Sequence, residues 1–203
     1  MRPVFTAVII AMFGMIVSAQ PVDKLFDDLN NLYTRAYENI KPTQPDFEEI
    51  KTGLRNLKDK YPQTLTEDKI GKIITATNEF YNFSLENDSL LSKAYPYYLL
   101  LANELSPVLV SEFNTSQKKK IVIVVTSMSC KCTIEMCEKQ LYEVINFANA
   151  NRDTHKLFIE NAWESEYFKG KYGVGFVPTV LLFNESNELT KQLIREENLK
   201  LSN

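Results

Sequence analysis

The chain has 203 residues, which suits one or two domains, and 44% of them are hydrophobic, which excludes a disordered chain. Its net charge is −3, so the sequence offers no strongly basic surface for binding nucleic acid.

The beginning of the chain has the composition of an export signal. Arg2 supplies a positive start, residues 3–17 are almost wholly apolar, and Ala19 ends a short run of small residues at which a signal peptidase would cut. The apolar run is shorter than the roughly 20 residues that a membrane-spanning helix needs. We therefore expect a signal peptide over residues 1–19, an exported protein that is periplasmic or secreted, and no membrane anchor after cleavage.

Four helical patterns follow and predict a helical module over residues 20–113. In each of them apolar residues recur at the i, i+3, i+4 spacing of a helix with one buried face, and Ile40 closes the first such face. Pro42 and Pro45 are expected to break the pattern between the first two helices, and Pro96 to kink the fourth helix or to lie in its first turn. The four segments are residues 22–40, residues 46–60, a segment capped by Thr66, and a segment that starts near Asp88.

After a polar linker at residues 114–117 the hydrophobic pattern changes to that of strands. Residues 121–125 are a continuous β-branched run, typical of a strand buried on both faces. A loop over residues 126–131 and a helix to residue 149 come next. The remaining predicted elements are a strand at residues 156–159, a short helix at 165–172, and two strands at 179–183 and 188–194 joined by a hairpin turn. The predicted order is thus β-α-β-α-β-β.

Two stretches of this second part carry a family resemblance. The segment KYGVGFVPTVLLF, residues 171–183, resembles the thioredoxin segment that enters the active-site proline, and VVTSMSC, residues 124–130, resembles the strand and loop that run into the first active-site cysteine. The resemblance covers residues 118–203 and none of the helical module. It implies a minimal thioredoxin-like fold, with a cis peptide bond before Pro178. It also implies that Val177, Pro178 and Thr179 shape a substrate groove that faces the redox cysteines.

The sequence departs from the family pattern at several positions. One residue, Lys131, separates Cys130 from Cys132, where the family has two. Ser129 occupies the position of the usual Trp, and Val124 that of a buried acidic residue, so a proton-handling group is absent from that position. Few residues follow the last strand, so the family's last helix is expected to be short or absent.

The cysteine pair has the features of a redox site. Cys130 lies where a helix begins, and the positive end of the helix dipole together with the neighbouring Lys131 should lower its pKa and make it the nucleophile. Cys132, one turn further in and partly screened, would be the resolving thiol. A disulfide across one residue closes a small strained ring, which favours an oxidant or isomerase over a reductant. Cys137 is expected to be a buried structural cysteine, at most accessory to the chemistry.

The resemblance and the cysteines together lead to one main hypothesis and two alternatives. The main hypothesis is an exported thiol–disulfide oxidoreductase or isomerase that has no cofactor, acts on protein thiols or disulfides, and exchanges electrons with a redox partner protein. The first alternative is a thioredoxin-like binding module without catalytic activity, which the absent Trp and the absent buried acid would favour. The second is a copper or zinc chaperone that uses the sulfur-rich stretch around Cys130, although His155 does not match the position of the distant ligand such proteins recruit.

Overall fold

The computed structural model describes residues 21–196 and 199–201, so the predicted export signal lies outside the described part of the chain. The described residues form a mixed α/β structure with seven helices and one four-stranded sheet, which confirms the predicted α/β class. Within these residues, no helix combines the length and the hydrophobicity needed to cross a membrane.

Five helices, not the four predicted, precede the first strand in the described residues. The unpredicted helix is the fifth, and it includes two residues of the predicted linker, Asn114 and Thr115. Pro107 lies in its first turn, where a missing N–H costs nothing, and the same proline prevents the fourth helix from continuing. The five helices are α1 (Pro21–Tyr37), α2 (Gln44–Lys60), α3 (Glu67–Glu86), α4 (Leu91–Glu104) and α5 (Ser106–Thr115).

Two smaller expectations about these helices were wrong. Ile40 is 47% exposed, because α1 ends at Tyr37 and Asn39 turns the chain at a φ of 56°. Pro45 does not break the pattern but belongs to the first turn of α2, where proline is tolerated. Of the two positions expected for Pro96, the structure shows the one inside α4, beyond its first turn. Thr66 caps α3 as predicted, with its hydroxyl accepting the Lys69 N–H at 3.4 Å.

The second part of the chain has the predicted order of elements. These are β1 (Lys119–Val125), α6 (Lys131–Ala150), β2 (His155–Asn161), α7 (Tyr167–Lys171), β3 (Thr179–Phe183) and β4 (Leu189–Ile194). The strand order in the sheet is β2-β1-β3-β4, with β1 parallel to β2 and antiparallel to β3, and β3 antiparallel to β4.

The register brings three loops to one edge of the sheet. Val124, near the end of β1, pairs with Glu160, near the end of β2, and with Thr179, the first residue of β3. The loop after β1, the loop after β2 and the loop before β3 therefore start or end at the same edge. The first of these loops carries Cys130, and the last carries Pro178.

The helices and the sheet share one continuous hydrophobic core. Helix α1 packs against α6, and helix α4 packs against β2. Phe113 of α5 lies edge-on against Phe158 of β2, Phe168 of α7 and Phe183 of β3, with ring centroids 5.4, 4.9 and 5.1 Å away. Aromatic pairs of this geometry add about 0.5–1.5 kcal/mol each beyond the burial of their area. The helical part therefore contributes directly to the stability of the sheet.

Candidate functional site

The candidate site is centred on two cysteines at the amino terminus of α6. Cys130 is the N-cap residue, with extended backbone at ψ 155°, and its carbonyl accepts the N–H groups of Thr133 and Ile134 at 3.0 and 3.1 Å. Its sulfur lies 2.7 Å from that of Cys132, longer than the roughly 2.05 Å of a disulfide bond. Both thiols are free and exposed, so the expectation that Cys132 is partly screened was wrong. Cys132 is the second residue of α6, where the side chain still faces solvent.

Hydrogen bonds around the Cys130 sulfur favour its thiolate form. The Cys132 thiol makes the largest contribution, followed by the Thr133 hydroxyl at 3.3 Å and the Thr133 backbone N–H, and together they lower the pKa of Cys130 to about 6. At neutral pH most of the Cys130 side chains are therefore thiolate, the form that attacks disulfides. Lys131 is 90% exposed and pairs with Glu135 at 3.6 Å, so its charge is partly engaged away from the sulfur.

The loop that carries Cys130 is held from two sides by buried side chains that the sequence reasoning missed. The Tyr95 hydroxyl of α4 donates to the Thr126 carbonyl at 2.8 Å. The Asn161 side chain at the end of β2 accepts the Ser127 N–H at 3.0 Å and donates to the Ser127 hydroxyl at 2.9 Å. The Thr126 hydroxyl in turn accepts the Met128 N–H at 3.2 Å. The sulfur is thus placed by a fixed backbone rather than by a mobile loop.

Cys137 is a buried thiol, as predicted. Burial raises its pKa, although hydrogen bonds with the Thr126 backbone and the Tyr95 hydroxyl and the charge of Arg195 act in the opposite direction. A thiol that is buried and protonated is a poor nucleophile. Cys137 therefore contributes to packing beneath the cysteine loop.

The three predicted groove residues lie at the same sheet edge as this loop. The Val177–Pro178 peptide bond is cis, as the resemblance implied. Val177 is half-buried, whereas Pro178 and Thr179 are buried. The Thr179 hydroxyl donates to the Phe176 carbonyl at 2.7 Å, which fixes the turn before β3.

Arg195, directly after β4, also contacts this turn and was not singled out by the sequence reasoning. Its backbone N–H donates to the Pro178 carbonyl at 3.0 Å, and its side-chain Nε donates to the Val177 carbonyl at 2.8 Å. Its guanidinium lies 5.5 Å from the centre of the Phe176 ring. The only sequence signal for this role was its position immediately after the last strand.

Exposed apolar side chains occur on each of the three loops at this edge. Met128, Trp163 and Phe176 are 59%, 64% and 61% exposed. Met128 follows β1, Trp163 follows β2 and Phe176 precedes β3, so all three belong to loops at the same edge of the sheet. A cluster of large apolar groups on a surface indicates contact with another molecule.

A buried carboxylate lies beside the position where the family has its acidic residue, but it is already engaged. Val124 at that position is fully buried, and its neighbour across the sheet is Glu160. The Glu160 carboxylate accepts the backbone N–H groups of Phe168 and Lys169 at 2.9 and 2.6 Å and the Ser165 hydroxyl at 2.8 Å. Glu160 therefore caps α7 and supplies no free proton-handling group to the cysteines.

The part of the chain that the structure describes contains no group of three or more His, Cys, Asp or Glu side chains arranged to hold a metal ion. His155 begins β2 and pairs with Lys119 at the beginning of β1, at the opposite edge of the sheet from the cysteines. The length of the strand separates these edges by about 20 Å. The structure therefore does not bring His155 to the sulfur-rich stretch.

No protein-family model matches this chain, and no curated protein shows significant similarity to it.

Proposed function

We propose that this protein is an exported, thioredoxin-like thiol–disulfide oxidoreductase or isomerase, with Cys130 as the nucleophile and Cys132 as the resolving thiol. One observation carries the proposal. An exposed thiol with a pKa of about 6 lies 2.7 Å from a second exposed thiol at the start of a helix. This arrangement is the one that thiol–disulfide exchange requires, because the thiolate attacks and a neighbouring thiol must then displace the product.

The reaction balances with the two cysteines and one substrate disulfide. The Cys130 thiolate attacks one sulfur of the substrate, forms a mixed disulfide, and releases the other substrate sulfur as a thiolate that takes up a proton. Cys132 loses its proton and attacks the Cys130 sulfur, which forms the Cys130–Cys132 disulfide and releases the second substrate thiol. The substrate disulfide is reduced by two electrons and the protein dithiol is oxidised by two; the reverse sequence oxidises two substrate thiols.

Two further features support the thioredoxin-like assignment. From Lys119 to Ile194 the elements follow the order β-α-β-α-β-β that the hydrophobic pattern predicted. The cis Val177–Pro178 bond lies at the sheet edge from which the cysteine loop emerges. In this proposal, Val177 lines the substrate groove, and the buried Pro178 and Thr179 shape it by fixing the turn before β3. The exposed Met128, Trp163 and Phe176 contact apolar side chains of a polypeptide substrate.

The test is to mix the reduced protein with a model peptide disulfide, quench with acid and alkylating reagent, and analyse the products by mass spectrometry. We expect the wild type to release two peptide thiols and to form a Cys130–Cys132 disulfide. The Cys132→Ser variant should stop at a mixed disulfide on Cys130, and the Cys130→Ser variant should show no exchange at all.

The matched control is Cys137→Ala, which removes the third thiol without touching the exposed pair. It should retain most of the exchange rate. If the wild type shows no exchange but still binds the reduced peptide, the protein is a binding module and the proposed function is wrong. A stoichiometric metal adduct on Cys130 and Cys132 that blocks exchange would favour the chaperone alternative instead.

A further inference from the structure

Arg195 places a positive charge between the groove turn and helix α6. Its backbone N–H and its Nε hold the carbonyls of Pro178 and Val177, so the guanidinium is fixed on the groove side of β4. The next residue, Glu196, accepts a hydrogen bond from the Gln140 side chain of α6 at 2.6 Å through its carbonyl. The electrostatic influence of Arg195 reaches the Cys137 thiol, which contacts the backbone of the cysteine loop.

The Arg195 guanidinium has further N–H donors with which to bind a ligand. Arginine carries five N–H donors, and the Val177 carbonyl occupies one of them, at Nε. Among the described residues no carboxylate forms an ion pair with Arg195. The Phe176 ring supports one face of the guanidinium and limits its rotation. A planar, oriented guanidinium with free donors is suited to bind a carboxylate with two parallel hydrogen bonds.

We propose that Arg195 is a specificity-determining residue that selects disulfide substrates with a carboxylate beside the reacting cysteine. This inference rests on the proposed function, and it adds the chemical class of the preferred substrate. In the proposed complex, the substrate segment lies against the Val177–Pro178 turn and its reacting sulfur lies at Cys130. This segment then lies beside the Arg195 guanidinium. An acidic side chain next to the substrate cysteine then pairs with Arg195, whereas an amide of the same size does not.

The test compares two peptide disulfides that differ only in Glu or Gln next to the cysteine. We expect the wild type to exchange with the Glu peptide about two- to fivefold faster at low salt, the size expected for an exposed charge pair. The Arg195→Gln variant should lose this preference. The Lys191→Gln variant, which removes an exposed charge within β4, should keep this preference.

A second readout does not depend on exchange or on a folded variant. This readout is the rate at which the negatively charged iodoacetate alkylates Cys130 in the wild type, divided by the rate for the neutral iodoacetamide. The ratio should be higher at low salt than in 1 M NaCl, because salt screens an exposed charge. Exchange without any preference for the Glu peptide, or an equal preference in Arg195→Gln, would overturn this inference alone. Absence of exchange with both peptides would overturn the proposed function, and this inference with it.

Discussion

The reactivity of Cys130 depends on donors that approach its sulfur from the first turn of α6. The Cys132 thiol and the Thr133 hydroxyl both stabilise the thiolate. The Thr133 backbone N–H, at the positive end of the helix dipole, stabilises it as well. The sulfur itself is exposed, so the thiolate is also hydrated and open to attack on a substrate. An exposed, stabilised thiolate is both available and nucleophilic.

The Thr133 hydroxyl can be removed without changing the shape of the side chain. We expect Thr133→Val to raise the pKa of Cys130 above about 6, because one donor to the thiolate is lost while the volume at this buried position is kept. Thr133→Ser retains the hydroxyl and should leave the pKa close to the wild-type value. The measurement is the pH dependence of the Cys130 alkylation rate in the two variants; identical profiles for Val and Ser would show that the hydroxyl has no influence.

At this scale the sequence predicted that Cys130 lies at the start of a helix, but not the contacts that lower its pKa. The change from a β-branched run to a helical pattern predicted that Cys130 lies at the start of a helix. A position at the positive end of a helix was also expected to lower the pKa of Cys130, and its pKa is lowered. The contribution from Thr133 depends on a side-chain rotamer, which a spacing pattern does not specify. The exposure of Cys132 was predicted wrongly for the same reason, since burial in the first turn depends on what packs against it.

At the scale of elements, helix α4 supports the cysteine loop. Tyr95 reaches from α4 to the Thr126 carbonyl, and Asn161 holds Ser127 from the end of β2. Burial raises the pKa of Tyr95, so its hydroxyl stays protonated and available as a donor over the physiological pH range. The loop geometry is thus determined by residues far away in sequence.

Removal of the Tyr95 hydroxyl should affect both stability and reactivity. We expect Tyr95→Phe to reduce the free energy of unfolding by about 1–3 kcal/mol, because the buried Thr126 carbonyl loses its partner. We also expect a slower reaction of Cys130 with disulfides, since the loop is less well fixed. Urea denaturation and the exchange rate of the reduced protein measure the two effects.

Tyr97→Phe is the matched control on the same helix. The Tyr97 hydroxyl is buried and bonds to the Thr77 hydroxyl at 2.9 Å within the helical part, away from the cysteine loop. This variant should lose comparable stability but keep the wild-type exchange rate. Equal exchange rates in the two variants would contradict a positioning role for Tyr95.

The bounds of most elements could be predicted, whereas their partners could not. The strand at residues 179–183 was predicted with its observed ends, and the first strand, α6 and α7 were found within a few residues. Helix α5 was missed because its short apolar pattern follows α4 with one intervening residue, Leu105, and only Pro107 marks the break. Tyr95 and Asn161 gave no signal, because a lone polar residue in an apolar segment does not indicate which loop it holds.

At the scale of the whole molecule, a partly buried ion-pair network joins the helical part to the sheet. The Lys156 ammonium of β2 lies 2.6 Å from the Asp23 carboxylate of α1 and 2.8 Å from the Glu112 carboxylate of α5. The Tyr61 hydroxyl donates to the second oxygen of Glu112 at 3.0 Å. The Lys156 ammonium therefore links strand β2 to two helices, α1 and α5.

The network should make stability depend on pH in a defined direction. Burial alone would raise the pKa of Glu112, but the hydrogen bonds and charge of Lys156 outweigh it and place the pKa below 4.5. Burial would lower the pKa of Lys156, but Asp23 and Glu112 outweigh it and place the pKa above 10.5. Glu112 therefore adds stability above pH 4.5 that is lost as the pH falls through its folded pKa, and Lys156 adds stability below pH 10.5 that is lost as the pH rises through its folded pKa.

Lys156→Met should lower the free energy of unfolding at pH 7 by about 3 kcal/mol, because two carboxylates in the interface lose their partner. The difference from the wild type should become smaller at pH 3, because the stabilising charge of Glu112 is progressively lost as the pH falls below 4.5 and through its folded pKa. Urea denaturation at the two pH values measures it. Lys93→Met, which breaks an exposed pair with Glu79, should change stability by no more than about 0.5 kcal/mol. An equal loss in both variants would contradict a stabilising role of the Lys156 network.

Neither this network nor the shared core could be read from the sequence. Lys156 was predicted to lie at the start of a strand, and nothing in the pattern indicated that Asp23, far away in the chain, faces it. Periodicity shows which side of each helix is buried, but it does not show against which element. The sequence therefore predicted a helical module without indicating what its buried faces contact; in the structure these faces and those of the sheet form one core.

The proposal that Cys130 is an activated nucleophile is tested most directly by the pH dependence of its alkylation in the reduced wild-type protein. Peptide mapping by mass spectrometry follows each cysteine separately, with Cys132 intact so that its hydrogen bond to Cys130 is preserved. The structure predicts a half-maximal rate for Cys130 near pH 6 and little reaction of the buried Cys137 without denaturant. A half-maximal rate for Cys130 near the value of about 8.5 that an ordinary thiol shows would contradict the proposed role.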